Sequence, residues 1–207
     1  MGVYLVTDRR LCADVLRTVK DALDGGVRAV QLREKDMDSR ELFYLARRLR
    51  ELTRVYGAAL FVNDRIDVAL AVQADGLHLG QRSMPITEAR AVAGPDMVIG
   101  ASTHGLTEAL TAVGNGADFI TLGPIFNTPA KLEFGEPLGL AKLKLVCSSV
   151  NAPVYAIGGI KREQISDVVS AGAAGIAVIS AIIGQSDARL RSQELVEEYC
   201  ACKAQME

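Results

Sequence analysis

Histidine is scarce, with two residues in 207, and the four cysteines stand alone at positions 12, 147, 200 and 202. No C-x-x-C pair is present and the cysteine density is far below that of a disulfide scaffold, which excludes a zinc finger and a small stapled secreted domain. Thiols of this kind suit a reducing cytoplasm. No stripe of one charge runs along the chain: 23 Lys and Arg are scattered among 25 Asp and Glu, for a net charge of -2. A nucleic-acid or anionic-membrane partner is therefore not expected. Asp8, Arg9 and Arg10 follow directly on the first short apolar run, so no secretion signal is expected. The longest nearly uninterrupted apolar stretch, Ala171 to Gly184, is rich in Ala and Gly and too short to span a bilayer. Neither G-x-G-x-x-G nor a Walker A sequence opens a helix, and no linker, low-complexity segment or obvious internal repeat breaks the chain. One domain over residues 1–207 is the simplest expectation.

What is present is a soluble globular balance, 49% hydrophobic and 23% charged residues, in a length near the lower end for a (β/α)8 barrel. Short apolar runs predict strands at Val3–Thr7, Ala29–Arg33, Ala59–Val62, Gly76–Leu79, Val98–Gly100, Phe119–Leu122, Val154–Ile157 and Gly175–Ile179. Amphipathic stretches lie between them. In 39–55, for example, Leu42, Leu45, Ala46, Leu49 and Leu52 share one face. Eight strand and helix alternations with short connections predict a closed parallel α/β TIM barrel, with a doubly wound open sheet as the runner-up.

In such a barrel, function sits at the carboxyl ends of the strands. Ala156-Ile157-Gly158-Gly159-Ile160 and Ala177-Val178-Ile179-Ser180-Ala181 end in small residues where the phosphate cradle of a barrel usually lies. They read equally as tight strand-to-helix turns. Gln31, Arg33 and Lys35 alternate so as to point one way, which suits either a highly charged anion or a solvated strand end. Asn63 and Asp64 suit a helix cap, or Asp64 a Mg²⁺ ligand. Ser102 also reads as a cap, and His78 and His104 as packed residues with no metal-ligand pattern around them. The stretch from Gly123 to Gly139 is the longest irregular connection, either a lid over a charged ligand or a plain surface excursion.

Taken together, Tyr4 to Asp8, Gln31 to Lys35, Asn63 to Asp67, Ala74 to Gln81, Ile99 to Ser102, Gly123 to Phe126, Thr128, Lys131, Gly158-Gly159 and Ile179-Ser180 resemble the thiamine phosphate synthase family over nearly the whole chain. The resemblance implies a barrel transferase of thiamine biosynthesis. It would join 4-amino-2-methyl-5-pyrimidinylmethyl diphosphate to a thiazole phosphate and release pyrophosphate. It also implies the site. Gln31, Arg33, Lys35, Asn63, Ser102 and Lys131 would hold the pyrimidine diphosphate, with Ser102, Lys131 and Arg33 at the chemistry. Asp64 would hold Mg²⁺, and Thr128, Gly159, Ile179 and Ser180 the thiazole phosphate. Ser83 stands where the family usually has a second Mg²⁺-binding Asp, and Ala130 where it usually has a hydroxyl residue. The same scaffold resembles the thiazole tautomerases, in which a His is expected where this chain has Pro124. A catalytically inactive phosphate-binding barrel is a third reading, and a homo-oligomer is left open.

Overall fold

The computed structural model describes residues 2–128 and 136–206. Eight strands, β1 (Val3–Val6), β2 (Ala29–Leu32), β3 (Ala59–Asn63), β4 (Gly76–Leu79), β5 (Val98–Thr103), β6 (Phe119–Leu122), β7 (Val154–Ile157) and β8 (Gly175–Val178), alternate with helices. The helices are α1 (Val15–Asp24), α2 (Ser39–Val55), α3 (Ile66–Ala71), α4 (Ile86–Ala93), α5 (Leu106–Gly114), α6 (Gly139–Ser149), α7 (Ile165–Ser170) and α8 (Ala188–Ala204). Each strand pairs in parallel with the next, and β1 pairs with β8, so the sheet closes. The TIM barrel expected from the alternation is what forms, and the open sheet is excluded.

Three helices begin where an acid bonds to exposed N–H groups. Asp14, Asp38 and Asp187 accept from the first turns of α1, α2 and α8. The α2 helix has the bounds read from its periodicity, and it buries Leu42, Ala46, Leu49 and Thr53. Strand ends move by a residue at most, except in β5. That strand continues to Thr103 because Ala101, Ser102 and Thr103 pair with Ile120, Thr121 and Leu122 after its apolar run has stopped.

Inside the barrel, four aromatic rings fill the lower layer: Tyr4, Phe61, Phe119 and Tyr155, in edge-on pairs with centroids 5.3 to 6.1 Å apart. The space for them comes from their partners in register. Phe61 lies beside Gly76, Phe119 beside Gly100 and Tyr155 beside Gly175, while Tyr4 lies between Ala29 and Ala177. A Cβ at Gly76 would come within 2.5 Å of Phe61 Cε1, and one at Gly175 within 2.6 Å of Tyr155 Cε1. Large against small around the ring packs the narrow interior solid. Ligands are thereby confined to the mouth above. Among the described residues no helix is long and apolar enough to cross a membrane.

Candidate active site at the barrel mouth

Above the aromatic layer the inward positions turn polar. Gln31 is buried, and its Nε2 donates to the Tyr4 hydroxyl at 3.0 Å. The same hydroxyl lies 3.4 Å from His78 Nδ1, and His78 Nε2 lies 3.0 Å from Ser102 Oγ and 3.4 Å from Thr121 Oγ1. His78 is thus packed, as its sequence context suggested, but it is also the hub joining two predicted site residues, Gln31 and Ser102. Burial, with the Arg33 charge adding and Asp64 opposing, pushes its pKa down from 6.5 to about 3. The imidazole is neutral. Burial likewise raises the Tyr4 phenol, so the floor beneath Ser102 carries no charge. The period of two through Gly76, His78 and Gly80 was the sequence signal for an inward His78. Ser102 lies in β5 and caps nothing, since α5 starts at Gly105 without a side-chain cap.

At the end of β2, Glu34 points away from the mouth and anchors it. Its buried carboxylate accepts from Thr7 Oγ1 at 2.6 Å and from the Arg9 N–H at 2.9 Å, while Thr7 Oγ1 accepts the Arg33 N–H at 3.0 Å. Sequence reasoning missed this brace. It ties β1 to β2 where Arg33 and Lys35 leave the sheet. Burial pulls the Lys35 ammonium below its ordinary value, the Arg33 and Arg82 charges pull it further, and Asp64 opposes them. Among the described residues Arg33, Lys35 and Arg82 form no ion pair. The alternative of a strand end neutralised by salt bridges is therefore not met there.

Asp64 does not cap α3. The residue before that helix, Arg65, makes no side-chain cap, and Asp64 adopts a left-handed φ of 61° with its N–H bonded to the His78 carbonyl at 3.0 Å. Aspartate tolerates that conformation better than most residues. Its carboxylate accepts from Asn63 Nδ2 at 2.8 Å and from the Ser83 hydroxyl, whose oxygen in turn accepts the Gly80 N–H at 2.6 Å. Ser83 does not cap α4 either, as that helix follows Pro85 with no side-chain cap. Position 83 is therefore beside Asp64. No group of three His, Cys, Asp or Glu side chains gathers among the described residues. One carboxylate with two neutral oxygens nearby fits a Mg²⁺ held largely by substrate phosphates rather than a preformed cage.

Across the mouth, β7 and β8 end side by side, Ile157 opposite Ala177, which brings the Gly158-Gly159 turn next to Ile179 and exposed Ser180. Gly158 and Gly159 both have left-handed φ, 99° and 67°. A Cβ at Gly158 would come within 2.6 Å of Pro124 Cβ, and one at Gly159 within 2.9 Å of Phe126. The missing side chains thus make way for the loop after β6, which packs directly on this turn. That loop is fastened by Ile125 N–H to Ile157 O at 2.9 Å and Phe126 N–H to Gly158 O at 3.0 Å, and it carries half-buried Thr128. Lys131 and Ala130 lie outside the described residues, as does the middle of the expected lid, 129–135. A cavity of ≈ 430 Å³ opens between α3 and α4, lined by Asp64, Ile66, Asp67, Leu70, Met84 and Val92.

Fold and mouth together define a class: a (β/α)8 barrel whose strand ends gather cations with no ion pair among the described residues, a carboxylate and small-residue turns, the features of a site for phosphorylated ligands. A family model described as thiamine monophosphate synthase matches residues 3–182. A putative thiamine-phosphate synthase of Geobacter sulfurreducens is 50% identical over 197 residues, covering 94% of this chain and 92% of the relative. The thiamine-phosphate synthase of Pyrococcus furiosus is 46% identical over 195 residues, 94% of this chain and 93% of its own length. A solved structure of thiamine phosphate pyrophosphorylase from the same organism superposes with a TM-score of 0.90 at 43% identity, over 97% of this chain and 96% of that one. The chain belongs to the thiamine monophosphate synthase family.

Proposed function

We propose that this protein is a transferase of thiamine biosynthesis that joins 4-amino-2-methyl-5-pyrimidinylmethyl diphosphate to a thiazole phosphate, giving thiamine phosphate and pyrophosphate. The near full-length similarity to synthases carries the proposal. The curated relatives named above carry the name of synthase, one of them as a putative synthase. Residues 1–207 are read as one domain.

In this reading Arg33 and Lys35 bind the diphosphate, Arg33 through a bidentate fork and Lys35 as a mobile charge. Both neutralise charge that grows on the leaving pyrophosphate as a pyrimidine carbocation forms. Lys131 joins them from the loop after β6. Asn63 and buried Gln31 offer neutral amides to the same substrate. Ser102 sits over the neutral His78 imidazole, where its hydroxyl can meet the reacting groups without bringing a full charge near the cation. Asp64 would hold Mg²⁺, which supplies electrostatic stabilisation of the diphosphate when bound. Thr128, Gly159, Ile179 and Ser180 take the thiazole phosphate on the opposite side of the mouth, so the nucleophilic ring approaches across it. The loop from Gly123 to Gly139 excludes water that would trap the cation. The four cysteines are free, which suits the cytoplasm as the compartment. Its ligands are small phosphorylated molecules.

A coupled assay with both substrates and Mg²⁺, run beside a tautomerase assay, tests the reading. Formation of thiamine phosphate with stoichiometric pyrophosphate is the expected result. Isomerisation of a thiazole carboxylate phosphate without pyrophosphate release would replace the reading with the tautomerase. Thiazole phosphate binding with neither reaction would replace it with an inactive barrel.

A further inference from the structure

The loop between β4 and α4 carries a cation that the roles above leave unused. On one side of it Gln81 Nε2 donates to the Ser102 carbonyl at 2.7 Å. On the other, Ser83 Oγ accepts the Gly80 N–H at 2.6 Å and donates to Asp64. Arg82 sits between these two ties, on a loop fastened both to the strand under the reacting groups and to the carboxylate at the mouth. Its side chain is exposed and forms no hydrogen bond or ion pair among the described residues. It follows β4, one strand removed from the end of β2 that carries Arg33 and Lys35, and its charge is felt at Lys35 alongside that of Arg33. Three cations therefore stand on the neighbouring ends of β2 and β4, with the Asp64 loop after β3 between them. Asp64, the carboxylate felt there, already has its oxygens engaged by Asn63 and Ser83. Three positive charges against one carboxylate repel on balance, and an anion of high charge entering among them relieves the repulsion.

We propose that Arg82 is a diphosphate-binding residue, and that Arg33, Lys35 and Arg82 together hold a diphosphate before any metal is bound. The inference rests on reading the mouth as the diphosphate site, and it adds a residue for which the family resemblance gave no role. Guanidinium offers five donors in a planar fork, so Arg82 can bond phosphate oxygens from the β4 side while Arg33 bonds them from the β2 side. A mouth with a single carboxylate repels the anion less than one with two, and the arginine beside Ser83 strengthens the same bias.

The test is calorimetric titration of inorganic pyrophosphate into the whole protein in EDTA and again in Mg²⁺, for the parent and for Arg82→Ala, Arg82→Lys and Arg33→Ala. The parent binds pyrophosphate in EDTA, and Arg82→Ala weakens that binding about tenfold or more, the worth of one charge-assisted contact. Arg82→Lys keeps the charge without the fork and falls between the two. An exposed side chain with no partner among the described residues can be removed without loss of fold, and an unchanged unfolding midpoint checks this. Pyrophosphate affinity in EDTA that falls in Arg33→Ala but equals the parent's in Arg82→Ala would overturn this inference and leave the mouth assignment standing. A folded parent that binds pyrophosphate only with Mg²⁺ would overturn the metal-free clamp. Indifference to both Arg33→Ala and Arg82→Ala would overturn the clamp and the mouth assignment together.

Discussion

His78 makes the stability of this barrel depend on pH in a defined window. A histidine held at a pKa of about 3 in the folded chain, against 6.5 when free, takes up its proton more readily in the unfolded chain. Its stabilising contribution is thus complete above pH 6.5 and drains away as pH falls toward 3. The side chain is 2% exposed, so solvent does not screen the effect. Within the window the slope approaches about 1.4 kcal/mol per pH unit, and the loss between pH 7 and pH 5 is about 2 kcal/mol. The carboxylates held low, such as Asp8 by Arg10, Asp36 by Arg9 and Asp67 by Arg65, lose their contribution only at more acid pH. Urea unfolding of the parent and of His78→Gln at pH 7, 6 and 5 isolates the histidine. Glutamine keeps a polar group near Ser102 and cannot titrate, so the variant is less stable at pH 7 but loses about 2 kcal/mol less on acidification. Equal losses in the two proteins would refute the buried neutral imidazole.

Three further predictions concern the mouth and the interior. Arg33→Ala should raise the KM for the pyrimidine diphosphate and lower kcat while thiazole phosphate binding changes little, read by steady-state kinetics with each substrate varied in turn; equal loss of both affinities would unseat the division of the mouth. Ser83→Asp should lower the Mg²⁺ concentration for half-maximal activity by placing a second hard ligand beside Asp64, and Asp64→Ala should raise it; an unmoved midpoint in Ser83→Asp would remove position 83 from the metal site. Gly100→Ala drives a methyl to within 2.8 Å of His78 Nδ1 and into the Phe119 ring. Overpacking of that kind costs about 1–3 kcal/mol, so the melting midpoint in calorimetry should fall by roughly 3–10 °C.

The barrel was legible because its signals are local. Apolar β-branched runs of four to six residues, separated by amphipathic helices, specify buried parallel strands whatever lies beside them, and the strands at 76–79, 119–122 and 154–157 have the bounds read from those runs. Gln31, Arg33 and Lys35 could be grouped for the same reason, since a period of two puts alternate residues on one side of a strand. The extension of β5 through Ser102 could not be read, because pairing with β6 rather than apolar character sustains it.

The sequence by itself determined the order of strands and helices, the closure class and the residues available at each strand end, since these follow from periodicity and residue type within a single element. Only the tertiary structure decided what those residues meet. Asp64 and Ser83 each sat where a cap was reasonable, and their contact across 19 positions of chain removed that reading. His78 became the link between Gln31 and Ser102, through the Tyr4 hydroxyl on one side and directly on the other, because closure brings β1, β2, β4 and β5 to face one interior. Gly158 and Gly159 owe their lack of side chains to a loop from another strand. Each of these is a contact between segments far apart in the chain, set by strand register and barrel closure, and no local pattern encodes it.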